Sequence, residues 1–340
     1  MSALAFTAQT IRRGNVRKGN VITIAGFIVS IVLLYFSLKD IRFHEIMATL
    51  QKANPWFIPV PLIFITIAVV LCAFRWSRLI GEGVHFRDAF AALMIGLFVN
   101  NVLPARIGEA ARAYVISKKR GLSFTYSFST VLLDRFFDLT GLLLLVFIFF
   151  PDESLPAAVS RSIYILIALL IFCIGFIILL SREKFANKIA GISARIKRPL
   201  FSRLADRVLR IQENLKRINS PFNLISSVAI SFCTWFSMTV ALYLVMLMLG
   251  IHVDFGDIPF VCALLNLGLT IPSSPGYVGV YQFLLVYLLA IFGVPKYEGF
   301  TISIIFHAMW FVPYNIVGFI YLLKEHLKIR ELRKFEENTN

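Results

Sequence analysis

Charge is what this 340-residue chain has least of. Asp, Glu, Lys and Arg make up 16% of it, against 58% hydrophobic residues and a mean hydropathy of +0.79. That balance excludes a water-soluble domain of this size, whose surface needs polar cover. Cysteine is scarce as well: Cys72, Cys173, Cys233 and Cys262 all fall inside apolar runs, with neither metal-ligand spacing nor a disulfide framework. The five histidines (His44, His85, His252, His307, His326) are scattered, and no HExxH, Walker or Ser/His/Asp pattern occurs. The longest stretch between apolar runs, 182–220, is about forty residues, too short for a separate catalytic domain. The expectation is a chain that is not an enzyme and uses no cofactor and no metal.

What the sequence does have is apolar runs of about twenty residues, each long enough to cross a hydrocarbon core of roughly 30 Å. Six read as full spans, at 21–38, 56–79, 123–149, 161–181, 222–250 and 299–323. The first follows Arg12, Arg13, Arg17 and Lys18 with no small-residue cleavage site after it, which reads as an uncleaved anchor. Two more apolar segments, 88–120 and 257–293, are interrupted. One breaks at Pro104-Ala-Arg106-Ile-Gly108 and the other at Pro272-Ser-Ser-Pro275-Gly276, both Pro-x-x-x-Gly. Paired Gly/Pro interruptions in matching halves of a membrane chain point to a binding site.

The net charge of +15 does not indicate nucleic acid, because its placement follows the membrane. If the broken segments are hairpins that return to their own side, the cytoplasmic pieces (1–20, 73–88, 104–122, 182–220, 324–340) hold 28 of the 34 Lys and Arg residues. The outside pieces (39–55, 150–161, 251–257, 294–298) hold 5, and Arg135 lies within a span. This obeys the positive-inside rule with both termini cytoplasmic. The expected architecture is an all-α integral membrane protein of the cell (inner) membrane, a single polytopic domain over 1–340. It has about six transmembrane helices plus two re-entrant helical hairpins in an inverted repeat: a first half 21–181, a second half 222–323, and a basic tail 324–340. Segment 182–220 carries an apolar stripe at helical spacing among eleven basic residues. It reads either as an amphipathic helix on an anionic leaflet or as a cytoplasmic helix packed on the bundle.

The polar residues inside the apolar runs carry the functional expectation. Asp134, Arg135 and Asp138 sit about 16 Å into their span and can share one side of the helix. Unpaired, three such charges would cost on the order of 7–10 kcal/mol, so they must pair, face water or hold a charged ligand. An ion-pair network that holds the helices in register is the structural alternative. The first hairpin adds Asn100 and Asn101 before its break, then Arg106, Glu109 and Arg112, with Glu109 and Arg112 spaced to pair. Arginine suits phosphate, and a helix starting after Pro104 would point its positive end the same way. The second hairpin is nearly neutral: Asn266, Ser273, Ser274, Tyr281 and Gln282, with Gly276 and Gly279 permitting close backbone approach or plain packing. His307 is either part of the path or hydrogen-bonded between helices.

Asn100-Asn101-Val-Leu-Pro104-Ala-Arg106-Ile-Gly108-Glu109-Ala-Ala-Arg112-Ala-Tyr114, with Leu133-Asp134-Arg135-Phe-Phe-Asp138 and Pro272-Ser-Ser-Pro275-Gly276-Tyr-Val-Gly279-Val-Tyr281-Gln282, resembles the lysylphosphatidylglycerol synthase transmembrane-region family. This is the flippase-like domain of multiple peptide resistance factors. The resemblance covers nearly the whole chain. That family often has an acidic residue where Gln282 stands and an arginine near His307, so the second half here is less charged. No segment of this sequence is expected to form the family's soluble synthase domain. The resemblance implies movement or binding of a phospholipid or lipid-linked headgroup, with anionic phospholipid as partner, over a path through the residues named above. A non-transporting scaffold for a lipid or glycan synthase and a membrane-embedded transferase are the alternatives, and homo-oligomers are compatible with each.

Overall fold

Apolar side chains cover the outside of this molecule as well as its inside. In the computed structural model Ile63, Phe147, Ile316 and Leu323 are each more than half exposed, a distribution that suits a lipid surround. The structure describes residues 26–81, 83–103, 107–151, 221–270 and 274–327, with scattered positions between 161 and 191. Most of the expected span 161–181 and of the segment 182–220, the tail beyond 327 and residues Pro104, Arg106, Pro272 and Ser273 lie outside the described residues.

Every described element is helical. They are α1 (Gly26–Leu38), α2 (Phe43–Gln51), α3 (Pro59–Ile80), α4 (Phe86–Val102), α5 (Gly108–Arg120), α6 (Phe124–Ile148), α7 (Pro221–Met248), α8 (Asp257–Gly268), α9 (Val280–Ile291) and α10 (Lys296–Lys324). Among the described residues three helices are long and apolar enough to cross a membrane: Pro55–Ile80, Phe222–Met248 and Lys296–Lys324, close to the expected 56–79, 222–250 and 299–323. The 25 residues of α6 are long enough too, but three charges stand in its middle.

Both breaks fall where expected. Leu103 is extended after α4, and α5 starts at Gly108 with Glu109 in its first turn and Lys118, Lys119 and Arg120 in its last, charges that suit the two ends of its dipole. Gly121 closes it in the left-handed conformation, and the Ser123 hydroxyl caps α6 by accepting from Tyr126 N–H. In the second segment a short 3-10 turn, Pro275–Tyr277, separates α8 from α9.

Each broken segment doubles back. Arg120 at the end of α5 is ion-paired with Asp88 at the start of α4, and Lys119 links Asp88 (3.1 Å) to Glu325 just past α10. Tyr126 donates to the Ile80 carbonyl (2.5 Å) and Arg78 to Asn223 (2.8 Å), so these residues share one end of the bundle. Asn54 N–H bonds Met248 O, Lys296 reaches Lys39 O, and Phe260 meets both Phe150 and Phe292, gathering the opposite end. The two broken segments therefore open from opposite ends. Fully buried alanines (Ala73, Ala89, Ala92, Ala113, Ala241, Ala263) let the helices approach closely. One apolar cluster joins α3 to α6, a second joins α7 to α10, and a third ties α6 to α8.

The Asp88 clamp makes a pH prediction. Burial alone would raise the Asp88 carboxyl, but hydrogen bonds from Arg120 and Lys119 outweigh it and hold its pKa below the ordinary value. Burial would likewise lower Lys119, and its bonds to Glu325 and Asp88 reverse the sign. A depressed carboxyl contributes stability above its unfolded pKa and loses it as pH falls through the folded value. A raised amine loses its contribution only as pH rises past about 10. Asp88→Asn should therefore lower the melting temperature of the detergent-solubilised protein at pH 7. The gap between wild type and variant should begin to narrow only at about pH 4 and close at lower pH, once Asp88 protonates in the folded protein.

Candidate functional site

Three charges in the middle of α6 need partners, and the largest comes from a residue the sequence places elsewhere. Arg75, counted above with the basic cytoplasmic flank, is instead fully buried, because α3 continues one turn beyond it to Ile80. Its Nε donates to Asp134 Oδ1 (2.9 Å), its Nη2 to Asp138 Oδ1 (2.6 Å) and its Nη1 to Ser231 Oγ on α7 (2.5 Å). One guanidinium thus ties three helices together. Arg112 Nη2 reaches the other oxygen of Asp134 at 2.5 Å, and its guanidinium lies 4.3 Å from the ring centroid of Trp76. The expected Glu109–Arg112 pair is not formed, since the two point to different partners. Glu109 accepts from Asn100 Nδ2 (3.1 Å) and faces Arg135 Nε at 3.6 Å. Arg135 also reaches Asp138 at 3.1 Å.

Asn100 is used at both ends of its amide. Besides holding Glu109, its Oδ1 accepts the Gly108 N–H at 2.7 Å, which latches α5 onto α4 across the break. A Cβ at Gly108 would stand 2.0 Å from the Gly96 carbonyl oxygen, so only glycine fits there.

Both broken segments border one cavity of about 440 Å³, within the range of small-molecule sites. One wall holds Asn100, Asn101, Glu109, Arg135 and Asp138; the other is aromatic, with Trp235, Tyr277, Tyr281, Trp310 and Tyr314. Arg112 and Asp134 stand behind the wall and are not among its lining residues. Of the three arginines the side chain of Arg135 is 40% exposed, while those of Arg75 and Arg112 are at 1% or less. The second break touches the first here: a Cβ built on Gly276, whose φ is +66°, would lie 3.4 Å from the Asn101 carbonyl oxygen. Gly279 backs onto Ser30 of α1, and the Ser30 hydroxyl accepts the Ser274 N–H. Gln282 accepts the Gly279 N–H (2.7 Å) and contacts His307 Nδ1 (3.0 Å), so it pins the start of α9 to α10. His307 stacks against the rings of both Tyr281 and Trp310, at 4.6 and 4.7 Å; Tyr281 lines the cavity, His307 and Gln282 do not. Pro275 opens the 3-10 turn itself.

Sequence reasoning missed Arg75, Ser231, Trp76, Trp235 and Trp310. Unmatched carboxylates on α6 were the signal that a further buried cation was required. Cys72, Asp134 and Asp138 bring ligand atoms within 4.8 Å of one another, but Arg75 already holds both carboxylates, so this set suits a guanidinium and not a metal ion.

The family model described as lysylphosphatidylglycerol synthase TM region matches residues 23–318. A UPF0104 membrane protein of Methanothermobacter thermautotrophicus is 26% identical over 308 residues, 87% of this chain and 91% of that one. Another from the same organism is 24% identical over 330 residues, 90% of this chain and 93% of that one. Glycosyltransferase AglD of Haloferax volcanii is 22% identical over 326 residues, 84% of this chain and 51% of that protein.

Proposed function

The chain belongs to the lysylphosphatidylglycerol synthase TM-region family, and from that premise we propose that it is a flippase-like protein that moves or binds a phospholipid or lipid-linked headgroup across the cell membrane. The observation that carries this is the cavity itself. Both breaks border it, one wall presents Arg135 and Glu109, and the other is aromatic. Irregular backbone is tolerated at membrane depth where it lines such a cavity, and the doubling back of 88–120 and 257–293 from opposite ends supports two re-entrant hairpins in an inverted repeat. On this reading both termini are cytoplasmic and the chain performs no chemistry. Asp134 and Asp138, bound to guanidinium groups, are poor general bases.

Arg135 is the residue to remove, because it faces the cavity and is the least buried arginine of the network. In proteoliposomes carrying a labelled phospholipid, wild type should accelerate translocation over empty vesicles. Arg135→Ala should slow it by about tenfold or more, the loss of one charge-assisted hydrogen bond. Translocation equal to empty vesicles with wild type, or undiminished in the variant, would contradict the proposal.

One observation favours a second reading, a membrane partner of a glycan or lipid synthase. The matched part of AglD is about half of that protein, whose name is that of a glycosyltransferase. Co-purification of a synthase, together with inactive proteoliposomes, would support this reading over the first.

A further inference from the structure

Segment 39–55 lies between two apolar runs, yet it folds as α2, and α2 is strapped across one end of the bundle. On one side of it Lys296, the first residue of α10, donates to the Lys39 carbonyl. On the other the Asn54 N–H bonds the carbonyl of Met248, the last residue of α7, at 3.2 Å. Pro55, the next residue, opens the membrane-crossing stretch Pro55–Ile80. Three long apolar helices thus begin or end beside α2, which sets its depth: it lies where hydrocarbon gives way to headgroups.

The residues of α2 sort into three sides, as helical spacing allows. The helix packs against α10, with Thr49 buried and Ile46 and Leu50 half-buried on the inner side. Phe43 and Met47, one turn apart, are exposed although apolar, Phe43 at 73%. His44, Gln51 and Lys52 make the third side, exposed and polar. The chain stays open and apolar after α2: Trp56 is 88% exposed, Phe57 and Ile58 are exposed too, and Ile63 and Ile67 carry the pattern along α3. A short helix with one side on protein, one greasy and one polar fits the membrane–water boundary better than either phase. Tryptophan favours that level, and the long stems of Lys39, Arg42 and Lys52, all exposed, let their charges reach phosphates there.

We propose that α2 and the turn after it are an interfacial anchor whose partner is the lipid leaflet at this end of the bundle. Phe43, Met47 and Trp56 sit among the acyl chains just below the headgroups, and the polar side of α2 faces water. The anchor is separate from the cavity, and none of its residues lines it.

The test is tryptophan fluorescence of the full-length protein in vesicles of phosphatidylcholine and phosphatidylglycerol. Their acyl chains carry bromine either near the glycerol or near the methyl end. The Trp56 signal is the difference between wild type and Trp56→Phe; of the other three tryptophans Trp76 and Trp310 are buried and Trp235 is half-buried. Bromine near the glycerol should quench that difference at least about twofold more than bromine near the methyl end, and acrylamide in the water should quench it little. Adding Phe43→Trp to Trp56→Phe should restore this pattern. Adding Gln51→Trp instead should give a signal that acrylamide quenches more than either lipid does. A Trp56 signal open to acrylamide and untouched by bromine would put the element in water and overturn the proposal. Stronger quenching from the methyl end would bury it too deep for an interfacial helix and overturn it as well. So would a signal shielded from all three quenchers, with Trp56→Gln converting dimers to monomers in native mass spectrometry, since a second copy would then cover this face. None of these readings depends on translocation, so they hold whether or not the cavity carries a lipid.

Discussion

Arg75→Met should destabilise the protein more than any other single replacement in the network. The guanidinium holds Asp134 and Asp138 at once and reaches Ser231, and both it and Asp134 are wholly excluded from solvent. Removing it leaves two carboxylates facing one another with only Arg112 and Arg135 to balance them. Breaking a buried pair in this way costs about 3–5 kcal/mol, because the surviving charge stays buried. In detergent the melting temperature should fall by roughly 10 °C. A second substitution tests the cause: Arg75→Met with Asp138→Asn removes one orphaned charge and should recover part of the loss. If the double variant is no more stable than the single one, Arg75 acts through packing and not through charge.

Gly108→Ala is the second large effect. The added methyl would lie 2.0 Å from the Gly96 carbonyl oxygen and 2.5 Å from Asn100 Cγ, and the first of these is backbone that cannot swing aside. Helix α5 would have to lift off α4, which breaks the Asn100 bond to Gly108 and loosens Glu109 on the cavity wall. Overpacking of this kind costs about 1–3 kcal/mol and occasionally more. Folded yield and translocation should both drop. Gly121→Asn is the matching control. That glycine caps α5 in the left-handed region with nothing within 4 Å of an added Cβ. Asparagine tolerates that conformation, so the change should be near neutral.

These two residues also show where the sequence could be read and where it could not. Gly108 stood out because it ends a Pro-x-x-x-Gly break in an otherwise apolar run, and local chain chemistry is enough to mark such a point. Asp134, Arg135 and Asp138 stood out because charge in an apolar run is expensive wherever it points. Arg75 did not. It lies close to the end of its span among Arg78 and Arg87, and nothing in its neighbours distinguishes an arginine reaching for lipid headgroups from one turned inward. Only the meeting of α3 with α6 and α7 decides that. The pairing of Glu109 failed for a related reason: helical spacing allowed Arg112, but Asp134 on another helix claimed it and left Glu109 to Arg135 and Asn100. Trp235, Tyr277 and Trp310 were invisible as cavity residues because an aromatic side chain reads alike whether it faces lipid, packing or a site.

A lipid headgroup that enters the cavity between the two breaks will be caught there by photocrosslinking. A phospholipid carrying a diazirine on its headgroup would be incorporated with the protein, irradiated and mapped by peptide mass spectrometry. Labelling is predicted on the peptides holding Asn100, Asn101, Glu109, Arg135 and Trp235, and should be lost on competition with unlabelled lipid. Labelling confined to the outward-facing positions Ile63, Phe147, Ile316 and Leu323 would contradict it.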